Sequence, residues 1–194
     1  MLATYILVKP PAPPPELQGI LRQQFKLLEP FQLTGHEGKF INEQNFRGKW
    51  SFVFFGYISC PDVCPATLHV LNSVHGLLKD ETGEDPADMQ VVFISVDPQR
   101  DTIETITSYV AYFNKNFIGA TAGKPQIDSI TRQFGAGYVV EAETAPGQYL
   151  VAHTSAIFLV DPFGRLVATF SQPHYPSTIF SQYKKIKTYF SGVG

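Results

Sequence analysis

Apolar positions along the chain follow two rhythms: short, nearly unbroken runs, and longer stretches where they recur every three or four residues. The runs Phe52–Phe55, Val91–Val96 and Ala156–Val160 have the length and the β-branched or aromatic content of strands buried on both faces. Between the first two, Leu68, Leu71, Val74 and Leu78 mark one face of a helix over about Cys64 to Lys79. A second helix carries Ile103, Ile106, Tyr109, Val110 and Phe113, with Asp101 and Glu104 as its expected cap. Lys124-Pro125 opens a shorter one through Ile127, Ile130 and Phe134, closed by Gly135. The last stretch sets Ile179, Tyr183, Ile186 and Phe190 on one helical face.

Turn residues place the rest. Glu16 to Leu28, with Leu17, Ile20 and Leu21, predicts a short helix, and Phe31 to Ile41 a β-hairpin turning at Gly35 to Gly38. Tyr138–Ala142 and Gln148–Val151 flank Ala145-Pro-Gly147 as an inserted hairpin; Asp161-Pro-Phe-Gly164 joins Ala156–Val160 to Arg165–Phe170 as another. Strand–helix–strand units imply a partly parallel sheet covered on both faces, and the late hairpin adds antiparallel strands. The expected class is α/β: a central mixed sheet with flanking helices, an N-terminal β-hairpin and an inserted hairpin, in a layout that resembles a thioredoxin-like domain.

Composition narrows the function. A chain of 194 residues, 44% hydrophobic and 13% aromatic, has the bulk for one domain with a sizeable core. With a net charge of −2 and no basic cluster, nucleic acid is an unsuitable partner. No apolar run approaches the roughly 18 residues of a membrane span. Residues 1–15 form a separate segment, Met1–Val8 being apolar and Lys9–Pro15 proline-rich and stiff. They read either as the remnant of a membrane anchor with its linker or as an ordinary terminus. Residues 16–194 form the domain.

Chemistry concentrates at one junction. The only two cysteines, Cys60 and Cys64, lie where the Phe52–Phe55 strand gives way to the first long helix. Four residues apart on a helix, they share one face, and the helix N-terminus is expected to favour thiolate. Such a pair either exchanges disulfides or grips a soft metal ion. Disulfide reductases of this layout carry two residues between the thiols and a cis-proline before the facing strand. Here there are three, Pro61, Asp62 and Val63, and Val151-Ala-His153-Thr-Ser155 before that strand contains no proline. His153 is placed to reach across to the sulfurs. Two thiolates and an imidazole suit Cu(I) and also hold Cu(II), whereas structural zinc asks for a fourth ligand. The plainer alternative is that His153 is a hydrogen-bonded residue at a strand edge.

Other candidates rank behind these three. Asp97 follows the second buried strand and is read either as tuning the site or as a strand terminator with Pro98. Asp62 is read either as biasing the thiolates or as a solvated turn residue. His174 is the reserve ligand; His69 and His75 lie too far along the helix, and His36 falls in a turn.

Three blocks carry a resemblance. Phe55-Gly-Tyr-Ile-Ser-Cys60-Pro-Asp-Val-Cys64-Pro, Val92-Phe-Ile-Ser-Val-Asp97-Pro-Gln-Arg-Asp101-Thr and His153-Thr-Ser-Ala-Ile-Phe-Leu-Val-Asp161-Pro-Phe-Gly164 together resemble the Sco/SenC proteins. Those are copper-binding, thioredoxin-like assembly factors for cytochrome c oxidase. The resemblance spans about Phe31 to Phe190. It implies that Cys60, Cys64 and His153 bind one copper ion, Cu(I) or Cu(II), in a metallochaperone that turns nothing over. It implies a membrane-anchored domain facing the bacterial periplasm or, alternatively, the mitochondrial intermembrane space. It implies cytochrome c oxidase subunit II as acceptor, with another copper chaperone as donor. The alternative activity is thiol–disulfide exchange on the cysteines of that subunit through Cys60 and Cys64. One departure stands out: many relatives carry an acidic residue just before the histidine, where this chain has Ala152.

Overall fold

The Phe52–Phe55 run lies at the centre of a mixed eight-stranded sheet in the computed structural model, which describes residues 12–192. The proposed anchor segment therefore lies almost wholly outside the described residues. The strands are β1 (Leu21–Leu27), β2 (Leu33–Gly35), β3 (Phe40–Ile41), β4 (Trp50–Gly56), β5 (Met89–Ser95), β6 (Ile118–Thr121), β7 (Tyr138–Val140), β8 (Val151–His153), β9 (Ile157–Val160) and β10 (Arg165–Phe170). The helices are α1 (Val63–Thr82), α2 (Ile103–Phe113), α3 (Lys124–Phe134) and α4 (Pro176–Ser191). The sheet order is β1-β10-β9-β4-β5-β6-β2-β3, while β7 and β8 pair only with each other. This is the expected α/β, thioredoxin-like arrangement.

Alternation along β4 sorts the helices. Phe52 meets Tyr183 of α4, and Phe54 meets Phe93, which in turn meets Tyr109 of α2. Phe55, pointing the other way, meets Phe134 of α3 edge-on. Both faces of β4 and β5 are thus covered, which is why every residue of the two strands is buried. β4 runs parallel to β5 and antiparallel to β9, so the two long apolar runs become neighbours through the α1 crossover.

Three expectations need correcting, and one strand was not foreseen. Glu16–Leu28 is not a helix but a short 3₁₀ turn over Pro15–Leu17 followed by β1, antiparallel to β10. Gly19 at φ 81° breaks any helix there, and Phe25 packs on Phe190 while Arg22 donates to Thr169 Oγ1. The cap of α2 is Thr102, whose Oγ1 accepts from Thr105 N at 3.3 Å; Asp101 is turned inward instead. β6 went unforeseen because Gly119 and Ala120 give no apolar signal. Gly119 is required there, since a Cβ would come within 2.5 Å of Ile106 Cγ2. In the inserted hairpin the returning strand is Val151–His153 rather than Gln148–Val151, so His153 ends a strand.

Phe52 is fully buried between Phe170 and Tyr183. Truncating it to alanine should lower the unfolding free energy by about 3–5 kcal/mol, read from urea denaturation of the reduced protein.

Candidate metal centre

Beyond Gly56 the chain leaves the sheet, and Cys60 N donates to Tyr57 O at 3.3 Å to close the turn that precedes α1. Cys64, in the first turn of α1, is fully buried, while Cys60 is half-buried and both thiols are free. Cys64 N donates to Cys60 Sγ at 3.4 Å. Gly56 makes room for this arrangement: a Cβ there would lie 2.7 Å from Cys64 Sγ and 2.8 Å from Phe93. From below, the Asp101 carboxylate accepts from Ile58 N at 3.0 Å and from Ser95 Oγ at 2.6 Å. The cysteine loop is thus braced by a buried acid that sequence reading had assigned to a helix cap.

His153 arrives from the other side on the β7–β8 ladder. Its Nδ1–H donates to Thr154 O at 3.1 Å, which leaves the Nε2 lone pair facing the thiols. Cys64 Sγ–H donates to that Nε2 at 3.4 Å. Phe54 and Tyr57 stand edge-on to the imidazole, with ring centroids 5.9 and 5.8 Å away. Cys60 Sγ, Cys64 Sγ and a ring nitrogen of His153 all lie within 4.8 Å of one another, the one such group of potential ligands among the described residues. Bonds of roughly 2.0–2.3 Å to a shared ion put ligand atoms at most about 4.6 Å apart, so a small inward shift closes this set on a metal. A cavity of about 330 Å³ leads to it, bordered by Tyr57, Pro61, Leu150 and Val151.

Burial sets the protonation states. It pushes the Cys64 thiol well above the ordinary range, with Cys60 and Asp101 adding to the effect. The expected thiolate at the helix start therefore does not hold for Cys64 in the metal-free protein: desolvation outweighs the first-turn dipole. Burial likewise lowers the His153 pKa, against the opposing hydrogen bond to Thr154. Burial thus favours the neutral forms of Cys64 and His153, and a bound cation is what would favour the Cys64 thiolate.

The remaining candidates fall outside the ligand group. Asp97 is 2% exposed and spends its oxygens elsewhere, accepting from Arg100 Nε at 2.5 Å and Tyr149 OH at 2.8 Å. Asp62 is exposed at the cavity mouth and makes no capping bond. His174 Nε2–H donates to Ser155 O at 2.8 Å, supporting the segment after His153. His69 stacks edge-on to Phe113, His75 lies further along α1, and His36 sits in the turn after β2. Sequence reading missed Gly56, Arg100, Asp101 and Tyr149 as contributors. The charged cluster Asp97-Pro-Gln-Arg-Asp101 after a buried strand was the available signal.

Comparison with known proteins gives a consistent result. A family model described as SCO1/SenC matches residues 21–188. The chain is 33% identical over 172 residues to a SCO2-like protein of Rickettsia prowazekii, covering 87% of this chain and 82% of that one. It is 35% identical over 145 residues to the mitochondrial SCO1 homolog 1 of Arabidopsis thaliana, covering 75% of this chain but only 42% of the relative. Among solved structures, Arabidopsis thaliana ScoI with copper bound superposes with a TM-score of 0.75 at 33% identity, covering 82% of this chain and 98% of that one. Apo Sco1 from Thermus thermophilus superposes with 0.74 at 31% identity, covering 87% and 94%.

The neutral imidazole has a measurable consequence. Unfolded, His153 titrates near 6.5, and folded, lower. As pH falls through that window the unfolded chain takes up the proton first, so the metal-free fold loses stability; above about 6.5 the contribution is complete. Urea unfolding of His153→Gln should lack this part of the pH slope, and NMR titration should place the His153 midpoint below that of an exposed histidine.

Proposed function

The chain belongs to the SCO1/SenC family, and from that premise we propose that it is a copper metallochaperone. In this reading it carries one copper ion on Cys60, Cys64 and His153 for the dinuclear copper centre of cytochrome c oxidase. The observation that carries it is the convergence of two sulfurs and one imidazole within 4.8 Å in a pocket open to the surface. The donor set is soft, three in number and without a fourth protein ligand in the group, which suits Cu(I) better than structural zinc. Copper here is cargo. Few ligands at an accessible mouth let an acceptor's ligands replace them one at a time.

Each ligand has a distinct duty in such a transfer. Cys60, half-buried at the mouth, is the first that an incoming group can reach. Cys64, fully buried against Gly56, is the inner anchor, and its proton must leave when metal enters. His153 closes the third side with its tautomer already set by Thr154, and it supplies the nitrogen that lets the site hold Cu(II) as well. The structure of Arabidopsis thaliana ScoI with copper bound supports the same cargo.

The acceptor is oxidase subunit II and the donor another copper chaperone. Among the described residues no helix is long and apolar enough to cross a membrane. We assign the domain to the periplasmic face of an inner membrane through an anchor, with the mitochondrial intermembrane space as the alternative. A second reading is reduction of the acceptor's cysteines, favoured by one observation: a half-exposed Cys60 beside a buried Cys64, an attacking and a resolving thiol. Cys60 thiolate would attack the acceptor disulfide. Cys64 would then displace the mixed disulfide, leaving two acceptor thiols and an oxidised pair.

Reduced wild type should bind one copper per chain, and His153→Ala should bind more weakly, most sharply for Cu(II). Cys60→Ser and Cys64→Ser should each lose tight Cu(I) binding, all measured by competition with a chromophoric chelator. Copper binding indifferent to His153, together with brisk reduction of insulin disulfides, would give the reductase reading precedence.

A further inference from the structure

His153 is carried on an arm. As strands, β7 and β8 pair only with each other and join neither edge of the main sheet. The position of His153 over the thiols therefore depends on what ties the arm down. One tie is Tyr138 OH, which donates to Asp128 on α3 at 2.6 Å. Another lies four residues before the histidine, with Asp97 and Tyr149 buried and Arg100 half-buried. Tyr149 OH donates to Asp97 Oδ1 at 2.8 Å, while Arg100 Nη1 donates to the Tyr149 carbonyl at 2.9 Å. The guanidinium lies 3.6 Å over the Tyr149 ring and donates from Nε to Asp97 Oδ2 at 2.5 Å.

The three residues close a ring of contacts in which each touches the other two. Asp97 offers both oxygens, Arg100 its fork and its flat face, and Tyr149 its hydroxyl, carbonyl and ring. The same turn also reaches the cysteine side: Asp97 N donates to Ser95 Oγ, which donates to Asp101, which accepts from Ile58 N. The end of β5 thus grips the cysteine loop with one acid and the histidine arm with the other.

We propose that Asp97, Arg100 and Tyr149 are positioning residues, a latch that holds the His153 arm at the distance from Cys60 and Cys64 that a shared ion requires. None of the three belongs to the ligand group. The proposal rests on the ligand set given above, so its test has one readout with metal and one without.

The variant is Tyr149→Phe, which keeps the ring under Arg100 and removes only the hydroxyl bond to a buried carboxylate. In metal-free, reduced protein, amides of the β7–β8 ladder should exchange several-fold faster than in wild type while those of β4 and β5 keep their rates. Copper affinity, measured by chelator competition, should fall about tenfold in the wild-type background and not at all in His153→Ala, because the latch acts only through that histidine. Equal weakening in both backgrounds, unchanged affinity, or unchanged ladder exchange would each overturn the latch. If wild type takes up no copper, the metallochaperone reading fails on its own, and the exchange comparison alone decides the latch.

Discussion

Parallel pairing of β4 with β5 is the constraint from which the rest of the structure follows. The two strands run in register from Trp50 opposite Met89 to Gly56 opposite Ser95, and Val96 N donates onward to Gly56 O at 2.9 Å. Parallel strands release their chains at the same end of a sheet. The cysteine loop after Gly56 and the acidic turn after Ser95 therefore emerge side by side. The Asp101–Ile58 bond that braces the candidate metal centre from below joins those two exits.

What the site offers a metal is set by burial as much as by ligand type. Cys64 is packed so closely under Gly56 that no side chain fits at that glycine, and the thiol and imidazole it meets are both held neutral by desolvation. Cys64 and His153 meet as a hydrogen-bonded pair; an entering cation would reverse the preference of the Cys64 thiol, because its charge replaces the lost solvent. Phe54 and Tyr57 flank the imidazole and limit how far it can swing.

Much of this architecture was legible in the residues. The two apolar runs, the periodic faces of α1, α3 and α4, and the turn at Asp161–Gly164 leave little freedom in the order of elements. β1 and β6 escaped because their signals are weak alone: β1 exists where β10 offers an edge, and β6 where Gly119 can lie against Ile106. Asp97 and Asp101 showed as a charged cluster, but their separate duties did not. One charge looks like another until the fold decides that Asp101 faces the cysteine loop and Asp97 faces Tyr149.

By itself the sequence determined the chemistry available: two cysteines at a strand–helix junction, a histidine before a late strand, and the spacing that sets them apart from an ordinary reductase pair. Those are local properties, carried by residue type and by separations of a few positions. Tertiary structure alone decided that Cys64 and His153, 89 residues apart, meet at 3.4 Å, that the first is a buried thiol rather than an activated thiolate, and that the second rides on an arm tied through Tyr149. Distance between remote residues and the solvent left around them are properties of the packed whole, and no local pattern encodes them.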